Sequence, residues 1–295
     1  MNEPVISDFH KLVTHLEADS SLFEHDQLRM RIETLDALDA CLGDPDAETP
    51  LAAVDRTGIF DRAKALRAKL ESTNAAIYNS IRNQIQRGDP PLQLRHWIDR
   101  CADNAKTTNP GLAYDVLDEL ISGVLEAREP DIAPLRPPPE MVFYQPTPAR
   151  HIFQFIRLSA LSESDTLVDL GSGLGHVPIL ASILTGVQAI GIEAEQAYVD
   201  SARECARGLH LDHITFFHQN ATDANLSGGT VFYLYTPFTG NTLKTVLRKL
   251  HNESEHRSIT ICTLGPCTLT VAKEPWLTAS AIPDPNQITI FRSRP

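Results

Sequence analysis

The chain has no uninterrupted apolar run near the roughly 20 residues that a helix needs to cross a bilayer, so no membrane span is expected. Its first residues, MNEPVISDFHKLV, lack the basic start and apolar stretch of a secretory signal and the arginines of a transit peptide, so a cytoplasmic protein is the expectation. Cysteine is scarce. Cys41, Cys101, Cys205, Cys262 and Cys267 are odd in number and show no CxxC spacing, which fits reduced, buried thiols better than a disulfide framework. No HExxH or comparable ligand spacing is present, so no metal is expected; His210, His213 and His218 scatter around one strand, and His176 reads as a solvent-exposed helix start. No GxSxG nucleophile motif occurs either. Basic residues are outnumbered, 26 Lys and Arg against 38 Asp and Glu, for a net charge of -12. That balance argues against a nucleic-acid partner, whose phosphates need clustered cations, while an acidic surface can draw in a cationic substrate.

What remains is a soluble-type composition long enough for two domains. Residues 1–128 read as an all-helical domain: Leu12 and Leu16, then Leu28, Ile32, Leu35 and Leu38, recur at helical spacing. GDPDAETP (43–50) breaks the pattern and Arg87-Gly-Asp-Pro-Pro stops the helix that follows it. A last helix over 111–127 carries Leu112, Val116, Leu117, Leu120, Ile121, Val124 and Leu125 on a broad apolar face. The Pro-rich stretch 129–140 favours extended backbone and marks a linker. From 141 to 295, short apolar strands alternate with helices, at 166–170, 187–193, 214–217, 230–235, 258–263 and 287–292. This is the pattern of an α/β, doubly wound, mostly parallel sheet.

The string LVDLGSGLGHVPIL (167–180) is a strand ending at Asp169-Leu170, a turn with Gly171, Ser172, Gly173 and Gly175, and an apolar helix. Such a turn lets a ligand approach the main chain at the carboxyl end of the sheet, beside unsatisfied helix amides. A nicotinamide fingerprint is GxGxxG, whereas this is GxGxG with an acid two positions ahead. Glu193 closes the second strand, where a carboxylate can accept both hydroxyls of a ribose. After the third strand, Asn220 is placed to bond an adenine amino group and the Ala221 N–H a ring nitrogen, although Asn220 equally suits a turn cap.

Over residues 140–295 the chain resembles the class I S-adenosylmethionine-dependent methyltransferases: DLGSGLG is similar to their first motif, GIE to the second, QNATD to the third, and FYLYTPF stands at the fourth. The resemblance implies S-adenosylmethionine as cofactor and a seven-stranded sheet whose antiparallel last strand is QITIFRS; a further strand should lie between Leu269 and Ile282. MVFYQPTPARHIFQFIRL looks like the lead-in of a branch containing the non-SET protein-lysine methyltransferases. It implies that Tyr144 and Thr147 cover the methionine end of the cofactor; on physical grounds Thr147 suits a helix N-cap with Pro148 in the first turn. The polar head of the fourth motif in amino-directed relatives is missing here, where Tyr235-Thr236-Pro237-Phe238 stands. Tyr235 and Phe238 are therefore candidate walls of an amine pocket or plain core aromatics. The expected activity is methyl transfer to a nitrogen, such as a protein lysine; the alternatives are a small-molecule methyltransferase lidded by the helical domain, or a non-catalytic binding or assembly protein.

Overall fold

The computed structural model describes residues 3–42, 58–104, 114–130 and 140–294. Two compact units divide the chain, Met1–Ile81 and Arg82–Pro295. The first holds α1 (Glu3–Ala18), α2 (Leu28–Leu42) and most of α3 (Ile59–Gln86). Its core gathers Phe9, Val13, Leu22, Leu38, Ile59, Phe60, Ala63, Leu66 and Leu70. One polar side chain is enclosed with it. Arg31 is 0% exposed, and its Nε donates to Asn74 Oδ1 (2.6 Å) while Nη1 donates to the carbonyls of Leu22 (2.9 Å) and Glu24 (2.6 Å). The guanidinium thereby supplies donors to carbonyls at a turn that no helix satisfies.

The second unit takes the end of α3, α4 (Leu92–Asn104), α5 (Val116–Leu125) and α6 (Ala149–Ser159) before the strand-helix alternation begins. This alternation runs β1 (Thr166–Leu170), α7 (His176–Thr185), β2 (Gln188–Glu193), α8 (Gln196–Gly208), β3 (Ile214–His218), β4 (Val231–Tyr235), α9 (Gly240–Ser254), β5 (Thr260–Leu264), α10 (Cys267–Val271), β6 (Leu277–Ala279) and β7 (Thr289–Ser293). The strands form one sheet in the order β3-β2-β1-β4-β5-β7-β6. Pairing is parallel from β3 to β5 and antiparallel on both sides of β7. The strand that sequence left between Leu269 and Ile282 is β6, three residues long and starting just after Pro275 and Trp276. The order reverses between β1 and β4, and a sheet opens its ligand crevice at such a switch point.

The two faces of the sheet differ. Val168, Leu170, Ile192, Phe232, Leu234 and Ile261 pack with Leu243, Val246, Leu247 and Leu250 of α9 in a wholly apolar layer. On the opposite face the in-register row Gly191, Asp169, Tyr233, Cys262 runs across β2, β1, β4 and β5. There α6 sets the Phe155 ring 4.9 Å from Tyr233.

The compact division falls at residue 81 rather than near 128, since the helices nearer the sheet pack with it. Arg82 Nη1 donates to the carbonyls of Val124 (2.7 Å) and Leu125 (3.0 Å), and Cys205 Sγ in α8 meets the Leu125 carbonyl at 3.2 Å. The apolar face expected over 111–127 is realised in α5, where Val116, Leu117, Leu120, Ile121, Val124 and Leu125 are all buried behind an Asp115–Asp118 capping box. Leu112, the breaker at 43–50 and residues 131–139 of the linker lie outside the described residues. Among the described residues no helix is long and apolar enough to cross a membrane.

Candidate cofactor and acceptor site

From the end of β1 the chain turns into α7 through Gly171 (φ 88°), Gly173 (φ 49°) and Gly175 (φ 80°). Positive φ favours glycine, and at the first two positions crowding requires it. A Cβ on Gly171 would stand 2.3 Å from Pro237 Cβ, and one on Gly173 would stand 2.0 Å from Tyr144 Cε2. The segments before α6 and after β4 therefore press directly on the loop. Its amides are tied to β2: Gly171 N and Ser172 N donate to the Ile192 carbonyl (2.8 and 3.1 Å), and Gly173 N to Glu193 Oε2 (2.8 Å). Glu193 Oε1 accepts from Glu195 N at 2.9 Å. Each carboxylate oxygen retains a further lone pair, as two ribose hydroxyls would require.

The electrostatics of this corner are unbalanced. Asp169 is 3% exposed, and burial together with the like charge of Glu193 pushes its carboxyl well above the usual carboxylate range. Burial also raises Glu193, against the pull of amides from Glu195, Gly173 and Ala194. Among the described residues no ion pair involves either acid. Buried carboxylates without a counter-charge call for a cation, and the hydroxyls of Tyr144, Ser172, Tyr233 and Tyr235 are buried without a hydrogen-bond partner. A ligand carrying positive charge and several hydrogen-bonding groups would satisfy both deficits; S-adenosylmethionine has an ammonium, a sulfonium, a carboxylate and a ribose. The residues present fit it.

The other expected contacts take varied positions. The Tyr144 ring lies against Gly173 and 4.6 Å from the ring of Tyr198 in α8. Burial raises its phenol far above the usual range. Thr147 does not cap α6: the Ala149 amide donates to Asp118 Oδ1 of α5 (2.7 Å), and Arg150 pairs with Asp115 (2.9 Å), so the helix start is held by a neighbouring helix. Asn220 is exposed, and its Oδ1 accepts from the amide (3.0 Å) and hydroxyl (2.9 Å) of Thr222. That is the turn-capping role weighed for it, and it leaves the side-chain amide nitrogen open. Ala221 is buried below it. His176 is partly buried, not solvent-exposed, and burial pushes its imidazole down to about 4, leaving it neutral at physiological pH.

On the acceptor side, Tyr235 closes β4 half-buried, with its phenol pushed up to about 12 by burial and hence protonated. Thr236 holds the turn at φ 40°: its hydroxyl donates to the Leu264 carbonyl (3.0 Å) and accepts from the Cys267 amide (3.1 Å). Phe238 is 2% exposed inside the apolar layer below the sheet, so it takes the core role weighed for it and offers no surface to a ligand. The lead-in segment is fastened to this turn. Met141 bridges Phe238, Thr239 N donates to the Glu140 carbonyl (2.8 Å), and the Glu140 carboxylate accepts from Asn241 N (2.9 Å) and Thr242 N (2.8 Å) at the start of α9.

The family model described as "Histone methylation protein DOT1" matches residues 142–233, from the lead-in segment to β4. Together with the strand order, this match supports a class I S-adenosylmethionine-dependent methyltransferase domain over this part of the chain. Among solved structures the methyltransferase domain is similar to an RNA methyltransferase from Salinibacter ruber in complex with S-adenosyl-L-homocysteine, at 24% identity over 50% of this chain and 92% of that one, TM-score 0.40. It is also similar to the human methyltransferase 10 domain containing protein (18% identity, 52% and 84% covered, TM-score 0.38). A geranyl diphosphate methyltransferase in complex with GPP and sinefungin is a third (14% identity, 50% and 78% covered, TM-score 0.38). No curated protein matches the chain.

Four residues at this methyltransferase site escaped sequence reasoning: Tyr114, Tyr198, Tyr233 and Glu140. Tyr233 left a faint signal in the alternation of FYLY, where two tyrosines share a face; the other three are assembled by tertiary packing.

Proposed function

We propose that the domain transfers a methyl group to an amine nitrogen, with a protein lysine as acceptor. The observation that carries this reading is a group of tyrosines with a carboxylate, spread from the glycine turn, where Tyr144 meets Tyr198, to Tyr235 at the end of β4. Tyr114, Tyr144 and Tyr198 all lie within the electrostatic reach of Glu129, and Tyr114 of Tyr235. The nearby Arg150 is already paired with Asp115. Tyrosine faces and carboxylates attract an ammonium or alkylamine and repel phosphate. The name of the matching family, a histone methylation protein, supports a basic protein as acceptor.

S-adenosylmethionine, when bound, supplies an electrophilic methyl on a positively charged sulfur. The residues of this chain would do the rest, aligning an amine for in-line attack and stripping it of water. Tyr235, still protonated at neutral pH, is assigned to orient the amine by hydrogen bonding; its partner from the sequence, Phe238, is enclosed in the core. For the cofactor we assign Asp169, Gly171, Ser172, Gly173 and Gly175 to the amino-acid and sugar region, Glu193 to the ribose, and Tyr144 and Thr147 to the methionine end. Asn220, through its open amide nitrogen, and the Ala221 N–H are assigned to the adenine edge. We also place the enzyme in the cytoplasm, because five scattered cysteines without CxxC spacing suit a reducing compartment.

The test is transfer of label from methyl-labelled S-adenosylmethionine to lysine-rich proteins, small amines and RNA in parallel. Label in protein lysine is expected, with kcat lowered about tenfold in Tyr235→Phe from the loss of one hydrogen bond. Label confined to RNA or to an oxygen would end the proposal. A small-molecule acceptor is the second reading, favoured by the burial of α5 in the same unit as the sheet, where it can serve as part of a lid; label in small amines alone would select it.

A further inference from the structure

The apolar design of the sheet fails at one place that the activity does not by itself explain. Tyr233 sits in the middle of β4, is 1% exposed, and its hydroxyl has no hydrogen-bond partner. A phenylalanine would fill that space against Phe155 without stranding a polar atom. The hydroxyl has definite company, however. Tyr233 is the in-register neighbour of Asp169 on β1, the Thr147 hydroxyl lies beside it but outside hydrogen-bond geometry, and Tyr235 is two residues along the same face. Asp169 is buried without a cation, so two unmet polar groups stand next to each other on adjacent strands.

Sheet order fixes which part of the cofactor they concern. If Glu193 at the end of β2 holds the ribose, the adenine lies on the β3 side and the amino-acid end must extend the other way, over β1 toward β4. Neighbouring strands are about 4.8 Å apart, so β4 is about 10 Å from β2, within reach of an extended methionine chain. The amino-acid end carries an α-ammonium and an α-carboxylate, the charges that complement an acid and a hydroxyl.

We propose that Tyr233 is a positioning residue for the amino-acid end of the cofactor, donating its hydroxyl from beneath the site so that Asp169 faces the α-ammonium and Thr147 the α-carboxylate. The inference rests on the cofactor reading above and adds a determinant to it. Because Tyr233 acts through Asp169 and Thr147, it should matter only to ligands that possess the amino-acid end.

Calorimetric titration of the full chain with two ligands makes the distinction: S-adenosylhomocysteine, and 5′-methylthioadenosine, which keeps the nucleoside and thioether but lacks the amino-acid end. Tyr233→Phe removes one oxygen and keeps the ring packing. We expect it to weaken S-adenosylhomocysteine about tenfold, the effect of one hydrogen bond to a charged group, and to leave methylthioadenosine unchanged. Thr147→Val, at a half-buried position before α6, is expected to show the same selectivity and covers the case in which the tyrosine variant does not fold. Equal loss for both ligands would assign Tyr233 a packing role and overturn the proposal, as would no change for either. Wild type that binds neither ligand would remove the cofactor site itself, and this assignment with it.

Discussion

Gly173 is confined three ways: a φ of 49°, an amide committed to Glu193, and the Tyr144 ring over its α-carbon. Gly173→Ala is therefore expected to lower stability by about 1–3 kcal/mol and cofactor affinity by at least about tenfold, read by urea unfolding and calorimetry. Asp169 and Glu193 make a second prediction at this scale. Both carboxyls titrate above their ordinary values, so the folded state binds more protons than the unfolded one, and their contribution to stability is complete at low pH and lost as pH rises through the raised values. A cationic cofactor reverses that loss. The thermal shift produced by S-adenosylmethionine should consequently be larger at neutral pH than at about pH 5, and a shift independent of pH would contradict the charge balance drawn for the site. The glycine turn and Glu193 were legible because their chemistry is written in local spacing. Tyr233 was not, since a tyrosine inside FYLY reads like any other bulky strand residue until β1 is laid beside it.

At the scale of elements, Arg31 shows how a short turn can depend on a distant side chain. Arg31→Met would keep the bulk while leaving Asn74 Oδ1 and the Leu22 carbonyl without this donor and the Glu24 carbonyl with the Gln27 amide alone. The expected cost is about 2–4 kcal/mol, seen as a lower urea midpoint; an unchanged midpoint would show that water replaces the guanidinium. Most strands could be read to within two residues because an apolar run bounded by polar or glycine residues has few other interpretations. β6 could not, as three residues after Pro275 carry too little pattern to count. The start of α6 misled for a different reason: Thr147-Pro148 is a sound local cap, but Asp118, thirty-one residues earlier, reaches the Ala149 amide first. Glu140 likewise serves α9 from about a hundred residues away, a relation that no local reading contains.

For the molecule as a whole, a net charge of -12 shapes its encounters. With a lysine-rich substrate, KM should rise steeply between low and physiological salt while kcat holds, because screening at about 0.15 M shortens the reach of surface charge to about 8 Å. A salt-independent KM would show that charge plays no part in recognition.

The bridge between Met141 and Phe238, fastened by Glu140, bears on the rhythm of turnover. Tyr144, which closes over the glycine turn, follows three residues after Met141, while Tyr235 precedes Phe238 by three, so both rings hang from one clasp. A cofactor held under the first ring, as proposed, would leave only as the second ring loosens. The methylated product should therefore depart before the thioether does, giving an ordered sequence that product-inhibition patterns will reveal.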